Sequence, residues 1–291
     1  MKVLRAVIMG LFQGITEFLP VSSSGHLAIL KGVFGFESDT GVLFDVLLHL
    51  ATLISICAVF YKDVLRIVLE FIGIVRDVAL NFAAFSKSLS DNNVPKYRKI
   101  ISSPYRRFTI LLIVSTIPTA ILGFLLRRVV EFTSSNLMVV GICLIGTGLC
   151  LILSDFLQIS EKKLKEANYG DAFSIGVVQG IATLPGLSRS GTTITAALLC
   201  GFDRKFAAKY SFIMSIPAVL GALILELTQI GGETITGADV GCCILGMVIA
   251  TAVGFVALKV TMKMVVSNYF KYFSYYCFGI GVISIIIYFV K

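Results

Sequence analysis

Residues 13–26 read Q-G-I-T-E-F-L-P-V-S-S-S-G-H, and they interrupt a strongly apolar sequence. The stretch holds the carboxylate of Glu17, the hydroxyls of Ser22, Ser23 and Ser24, and His26, one of only two histidines. Ionisable groups are costly in hydrocarbon and mark function where they occur there. Residues 3–12 are apolar apart from Arg5, and this run is half of the roughly 20 residues that a spanning helix needs. Pro20 stops a helix because it lacks a donor and clashes with the preceding turn. A second short apolar run, Leu27–Phe36, follows Ser24-Gly25. Two half-length helices around a polar bend predict a re-entrant hairpin. Irregular backbone at that depth survives only where protein or a water-filled cavity covers it.

The stretch returns. Residues 179–193 read Q-G-I-A-T-L-P-G-L-S-R-S-G-T-T. Gly10, Gln13, Gly14, Gly25 and Phe44 match Gly176, Gln179, Gly180, Gly191 and Tyr210, always 166 positions apart. Around the two hairpins, about six segments are long and apolar enough to span, at roughly 41–60, 108–126, 137–154, 210–228, 239–258 and 273–290. The expected fold is an all-α polytopic membrane protein, a single domain over 1–291. Repeat 1 covers about 1–155 and repeat 2 about 173–291. Each repeat is one re-entrant hairpin plus three spans. Three crossings are odd, so the second repeat enters from the opposite side. Such an inverted-topology repeat places its site near the midplane, at the repeat interface.

Composition agrees. Hydrophobic residues make up 57% of the chain and charged residues 14%, against about 25% charged in soluble domains. The net charge of +8 lies in loops between apolar runs, which topology explains better than a nucleic-acid partner. Lys and Arg number nine in 61–107, three in 155–172, three in 200–209 and three in 259–272, eighteen of the 25 in the chain. The positive-inside rule puts these segments in the cytoplasm and both termini outside. Within 61–107, Lys62 and Asp63 are followed by Arg66, Glu70, Gly73, Asp77 and Asn81 at steps of three or four, with Val, Leu, Ile and Phe between them. That spacing predicts an amphipathic helix at the interface, followed by a basic loop. The seven cysteines lack ligand spacing and read as small buried hydrophobes. No cleavable signal peptide is expected, because Gln13 and Glu17 stand where a cleavage site would be.

Gln13 and Glu17 are four apart and share a helix face. Ser24 fits the N-cap of the second half-helix, whose free N–H groups would face an anion. Ser188-Arg189-Ser190-Gly191 repeats this arrangement with a guanidinium added, suited to bidentate grip on phosphate. Glu17 and Gln13 suit a divalent cation completed by substrate phosphates. His26 suits proton transfer near neutral pH, and Ser23 suits attack on phosphorus. Asp45 and His49, at i and i+4, read as a structural hydrogen-bonded pair. On the residues alone two classes compete: an inverted-repeat transporter or flippase for an anionic lipid phosphate, and an intramembrane phosphohydrolase.

The motif at 13–26 and L-P-G-L-S-R-S-G-T-T at 184–193 resemble the two signatures of the bacterial undecaprenyl-diphosphate phosphatases of the bacitracin-resistance type. The resemblance runs the whole length of the chain. Where the family takes Glu or Gln, this chain has Gln13, leaving Glu17 as the only carboxylate of that motif. The resemblance implies hydrolysis of undecaprenyl diphosphate to undecaprenyl phosphate and phosphate. That reaction recycles the lipid carrier for peptidoglycan synthesis and confers bacitracin resistance. It implies catalytic roles for Glu17, Ser23, His26 and Arg189, with Gln13, Ser22, Ser24, Gly25, Ser188, Ser190 and Thr193 around the substrate. It also implies a divalent cation, Mg²⁺ or Ca²⁺, a plasma-membrane location with the site facing outward, and a homodimer. Ser24-Gly25-His26 resembles a fragment of the acid-phosphatase-type lipid phosphatases as well. Their second histidine after an S-R pair is absent, since Ser188-Arg189 is followed by Ser190-Gly191 and the only other histidine is His49.

Overall fold

The computed structural model describes residues 2–34, 41–91, 95–157, 161–227, 237–267 and 269–290. The ends of the expected run 27–36 and Lys291 therefore lie outside the described residues. Eleven helices make up nearly all of the described chain, which contains no strand beyond an isolated bridge between Lys162 and Phe202.

Both broken segments fold as expected. α1 (Lys2–Thr16) turns into α2 (Ser23–Phe34). Among the later elements, α7 (Tyr169–Ile181) turns into α8 (Arg189–Leu199). The longest of these four has 15 residues, about 22 Å at 1.5 Å per residue, too short to cross roughly 30 Å of hydrocarbon. Five helices are long and apolar enough to span: α5 (Pro104–Ser134), α6 (Leu137–Phe156), α9 (Arg204–Leu227), α10 (Gly237–Val266) and α11 (Phe270–Val290). α3 (Gly41–Val59) meets α4 (Tyr61–Asp91) at a 93° bend and supplies a sixth candidate when the bent pair is taken together.

α4 is amphipathic, but it extends ten residues past the predicted stripe, and its polar face meets protein. Asp63 accepts from Tyr105 at 2.9 Å and from Lys209 at 2.7 Å. Glu70 accepts from Ser103 and Arg106, each at 3.0 Å, and Asp77 accepts from Arg106 at 2.7 Å. The Arg106 hydrogen bond holds the Asp77 carboxyl below its ordinary range. Leu65, Leu69, Ile72 and Phe82 are exposed on α4, the face an interfacial helix turns to acyl chains. Three of the four Lys/Arg-rich segments, 61–107, 155–172 and 200–209, meet one another. Lys209 pairs with Asp63, Arg107 donates to the Ala167 carbonyl, and Lys162 donates to the Cys200 carbonyl. Ser154 beside them accepts from Arg204 at its carbonyl.

Helix packing is reciprocal between the two halves. α1 lies on α10, α7 lies on α5, α6 on α11 and α3 on α9. Glycines make the first two contacts close. A methyl at Gly10 would sit 2.7 Å from the Gly246 carbonyl oxygen, and one at Gly14 would sit 2.8 Å from that of Ala250, both on α10. At the equivalent Gly176 it would meet the Ser115 carbonyl oxygen on α5 at 2.1 Å, and at Gly180 the Leu122 side chain at 2.6 Å. Small residues four apart let helices approach backbone to backbone, which is how helices associate where lipid removes the hydrophobic drive. Gly141 and Gly281 do the same for α6 and α11, each facing the other's carbonyl oxygen.

Gly176→Ala should therefore lower stability by about 1–3 kcal/mol through overpacking. Gly221→Ala, where nothing lies within 4 Å of the added methyl, should be close to neutral. Thermal unfolding of the detergent-solubilised protein measures both.

Candidate functional site

The two hairpin tips are built alike. Past α1, Glu17 N–H still donates to the Gln13 carbonyl at 3.0 Å, and Pro20 then ends the helical ladder. Ser22 follows in the left-handed region, with φ 68°. A non-glycine residue there stores strain, and such strain clusters at functional sites. The Ser22 hydroxyl accepts from the Gly25 N–H at 3.2 Å, so Ser22, not Ser24, caps α2. At the other tip the Ser188 hydroxyl accepts from the Gly191 N–H at 3.1 Å. The hydroxyls of Ser22 and Ser24 lie 3.3 Å apart, as do those of Ser188 and Ser190. The tips interlock through their glycines. A methyl on Gly25 would come within 3.0 Å of Gly186 Cα, and one on Gly191 within 3.2 Å of Pro20 Cβ.

This interlocking places Arg189 against Glu17. The guanidinium donates to Glu17 Oε1. Glu17 Oε2 accepts from the Ser23 hydroxyl at 2.6 Å and from Gln13 Nε2 at 3.0 Å. The Glu17 side chain is only 3% exposed and that of Arg189 24%, so the carboxylate is held beneath the guanidinium. A cavity of about 180 Å³ opens above them, with Ser22, Ser23, Ser24, Ser188 and His49 among its polar walls. The first turns of α2 and α8 both border it, and helix N-termini favour anions.

Other expected site residues lie elsewhere. His26 is buried and does not line this cavity. Its Nδ1 lies 2.8 Å from the Ser22 carbonyl oxygen and its Nε2 2.8 Å from the Tyr276 hydroxyl. The ring stacks parallel to Tyr276, with centroids 5.6 Å apart. His26 thus anchors the strained Ser22 from behind. Thr193 donates to the Arg189 carbonyl and meets Ser211 of α9. Ser190 borders a smaller cavity behind Arg189. Gly25 serves the packing of the tips. The Asp45 carboxylate pairs with Lys31 on α2 rather than with His49. His49 Nδ1 instead contacts the Asp45 carbonyl oxygen at 2.9 Å.

Four contributors, His49, Gln179, Thr119 and Tyr276, lie outside the catalytic and substrate-binding set expected from the sequence. His49 was assigned to structure because of its i, i+4 spacing with Asp45. Gln179 lines the cavity with Thr119, to which its Nε2 donates at 3.3 Å; its equivalence to Gln13 was the available signal. Tyr276, 250 residues from His26, carries no sequence signal at all.

The residues present also fit a hard cation held mainly by its ligand. Gln13 Oε1 is buried without a partner and sits on the residue that contacts Glu17. Among the described residues no three His, Cys, Asp or Glu side chains cluster. Glu17 and Gln13 would supply two oxygens, and phosphate and water the rest, as is usual for Mg²⁺ at phosphate sites.

Removing one member of a buried ion pair strands the other charge. Arg189→Leu should cost about 3 kcal/mol of stability, and Arg189→Leu combined with Glu17→Leu should restore most of it. Thermal unfolding of the single and double variants checks this.

A sequence model of the bacitracin resistance protein BacA family matches residues 6–283. The chain is 37% identical over 287 residues to an undecaprenyl-diphosphatase of Methanosphaera stadtmanae, covering 99% of this chain and 98% of that protein. It is 38% identical over 293 residues to an undecaprenyl-diphosphatase of Desulforapulum autotrophicum, covering 98% of each. A third undecaprenyl-diphosphatase, from Halothermothrix orenii, is 36% identical over 290 residues, with 99% of this chain and 98% of that protein aligned. Matched from one hairpin to the other and beyond, the chain belongs to the bacitracin resistance protein BacA family.

Proposed function

We propose that this chain hydrolyses undecaprenyl diphosphate to undecaprenyl phosphate and phosphate. It thereby recycles the lipid carrier of peptidoglycan synthesis and gives resistance to bacitracin. One observation carries this reading. The Ser23 hydroxyl donates at 2.6 Å to a carboxylate that Arg189 reaches from the other hairpin. A nucleophile, its base and a phosphate-binding cation thus share one cavity in an apolar protein.

Ser23 is the nucleophile in this mechanism. A terminal phosphate entering the cavity competes with Glu17 for the guanidinium, which takes phosphate oxygens in bidentate fashion. Glu17 then faces the Ser23 hydroxyl with one donor fewer and takes its proton. The Ser23 oxygen bonds to phosphorus, the bond to the bridging oxygen breaks, and the lipid monophosphate leaves. Glu17 passes the Ser23 proton to the leaving lipid phosphate; water then attacks the phosphoserine, losing a proton to Glu17, which returns it to the Ser23 oxygen as the bond to phosphorus breaks and phosphate leaves. Arg189 and the amino ends of α2 and α8 stabilise the charge of the transferring group. His26 acts as a positioning residue, since both ring nitrogens are engaged behind the tip. Glu17 and Gln13 would hold Mg²⁺ or Ca²⁺, whose contribution is to neutralise phosphate charge.

We place the chain in the plasma membrane with the site and both termini on the outer side, and we read its halves as an inverted repeat. The meeting of three Lys/Arg-rich segments supports the orientation. The reciprocal packing of α1 on α10 and α7 on α5 supports the repeat.

Purified protein should release phosphate from farnesyl or undecaprenyl diphosphate, and EDTA should abolish the release. Glu17→Ala, Ser23→Ala and Arg189→Ala should each lose at least 10²-fold in kcat, and acid quenching should trap phosphoserine at Ser23 in wild type. Near-normal turnover by Ser23→Ala would move the attack to water. Lipid transport across vesicles without phosphate release would replace hydrolysis by flipping. Tyr276→Phe should lower kcat about tenfold with KM unchanged, short of the 10²–10⁴-fold of a lost general base. Steady-state kinetics on both substrates separates these outcomes.

A further inference from the structure

Gln179 lies on α7 three residues after Gly176, so the two share a helix face. The missing side chain of Gly176 lets α7 settle on the Ser115 carbonyl of α5. That close approach brings Thr119, one turn further along α5, within reach of the Gln179 amide. Both residues line the cavity of Glu17, Ser23 and Arg189. The Thr119 hydroxyl is already committed as a donor, to the Ser115 carbonyl oxygen at 2.9 Å and to that of Gly176 at 2.8 Å. A hydroxyl has one proton, so Thr119 offers Gln179 only lone pairs. The amide therefore presents Nε2 to Thr119, at 3.3 Å, and Oε1 is left over.

No protein donor reaches that oxygen. Gln179 is 1% exposed. Of the buried side-chain atoms without a partner among the described residues, Gln179 Oε1 is the one carried by a residue of the cavity wall. Its counterpart 166 positions earlier, Gln13, gives its Nε2 to Glu17. The second hairpin has Thr183 where the first has Glu17, so it brings an amide acceptor to the cavity and no carboxylate. A buried acceptor calls for a donor. Ionised phosphate oxygens are acceptors, as is the Glu17 carboxylate. Ser23 gives its one proton to Glu17. Of the reactants, water alone carries two donors.

We infer that Gln179 holds the water that hydrolyses the phosphoserine. The inference rests on the phosphatase reading above and on its Ser23 intermediate. One O–H of the water donates to Gln179 Oε1 and the other to Glu17, which leaves a lone pair for phosphorus. As the water oxygen bonds to phosphorus and the Ser23 oxygen leaves, the proton facing Glu17 passes through it to Ser23. The proton facing Gln179 stays on the released phosphate, and the amide changes neither charge nor protonation. Fixing the direction of an attacking water speeds its reaction, because orientation as well as proximity sets the rate. Gln179 takes no part in the first step, where Ser23 attacks and no water reacts.

The test uses the full-length protein, farnesyl diphosphate and the variant Gln179→Leu, which keeps the bulk and removes the acceptor. kcat should fall at least about tenfold and KM with it, while kcat/KM stays within about twofold of wild type, because kcat/KM reports only the steps up to departure of the lipid monophosphate. Rapid quenching should show a burst of farnesyl phosphate and a larger steady-state fraction of phosphoserine than in wild type. With methanol added, the ratio of methyl phosphate to phosphate should rise in the variant. Methanol has one O–H and cannot use Gln179 and Glu17 together, so only water loses by the substitution. Gln179→Asn, whose oxygen is drawn back by one methylene, carries the same measurements where the leucine variant does not fold. Equal losses in kcat and kcat/KM without phosphoserine build-up make Gln179 a structural or first-step group and overturn the inference. Wild-type kcat overturns it as well. So does a Mg²⁺ requirement raised about tenfold, which gives the oxygen to the cation. Wild-type protein releasing no phosphate from any prenyl diphosphate overturns the phosphatase reading instead, whatever the variants do.

Discussion

The contact between Glu17 and Arg189 constrains everything else. Each charge lies on a hairpin tip surrounded by apolar spans, and neither is tolerable alone at that depth. They come from tips 172 residues apart, so the pair forms only if both tips reach the same place. That requirement explains why each hairpin stops halfway. It also explains why the backbone there is irregular without being exposed, since each tip covers the other. Glu17 has no unused strength in this arrangement: Gln13, Ser23 and Arg189 all donate to it. The same crowding of donors is what a phosphate would find on arrival.

Glycine is the second half of the design. The tips interlock because Gly25 and Gly191 carry no side chain where Gly186 and Pro20 press on them. The hairpin stems reach their partners because Gly10, Gly14, Gly176 and Gly180 let α1 and α7 settle on neighbouring backbone. In lipid, packing of this kind must replace the hydrophobic drive that holds a soluble core together. Serine hydroxyls then cap both inner helices in the same way, 166 positions apart. One local solution to the problem of ending a helix inside a membrane is used twice.

Much of this was legible in the sequence, because it follows from short-range rules. Apolar run length gave the half-helices and the spans. Pro20 and the serine clusters gave the bends, and the fixed offset gave the pairing of the two motifs. Three of the Lys/Arg-rich segments expected on one side do contact one another. Details set by tertiary packing were not legible. Spacing alone does not say whether Ser22 or Ser24 caps α2, because the answer depends on a left-handed residue that sequence does not announce. The role of His26 is decided by Tyr276, a residue on the last helix with no motif of its own. Asp45 and His49 share a helix face as expected, yet Lys31 takes the carboxylate and leaves the imidazole at the cavity wall. The polar stripe on α4 was visible, but whether water or protein would meet it depended on where Arg106 lands.

The central claim is that the two tips occupy one place. In a cysteine-free background, Pro20→Cys and Gly191→Cys test it directly. A methyl at position 191 lies 3.2 Å from Pro20 Cβ, close to the spacing a disulfide adopts. Mild oxidation in native membranes should join the two cysteines almost completely, while Pro20→Cys with Gly221→Cys should stay reduced. Failure of the first pair to cross-link in folded protein would separate the tips and remove the site.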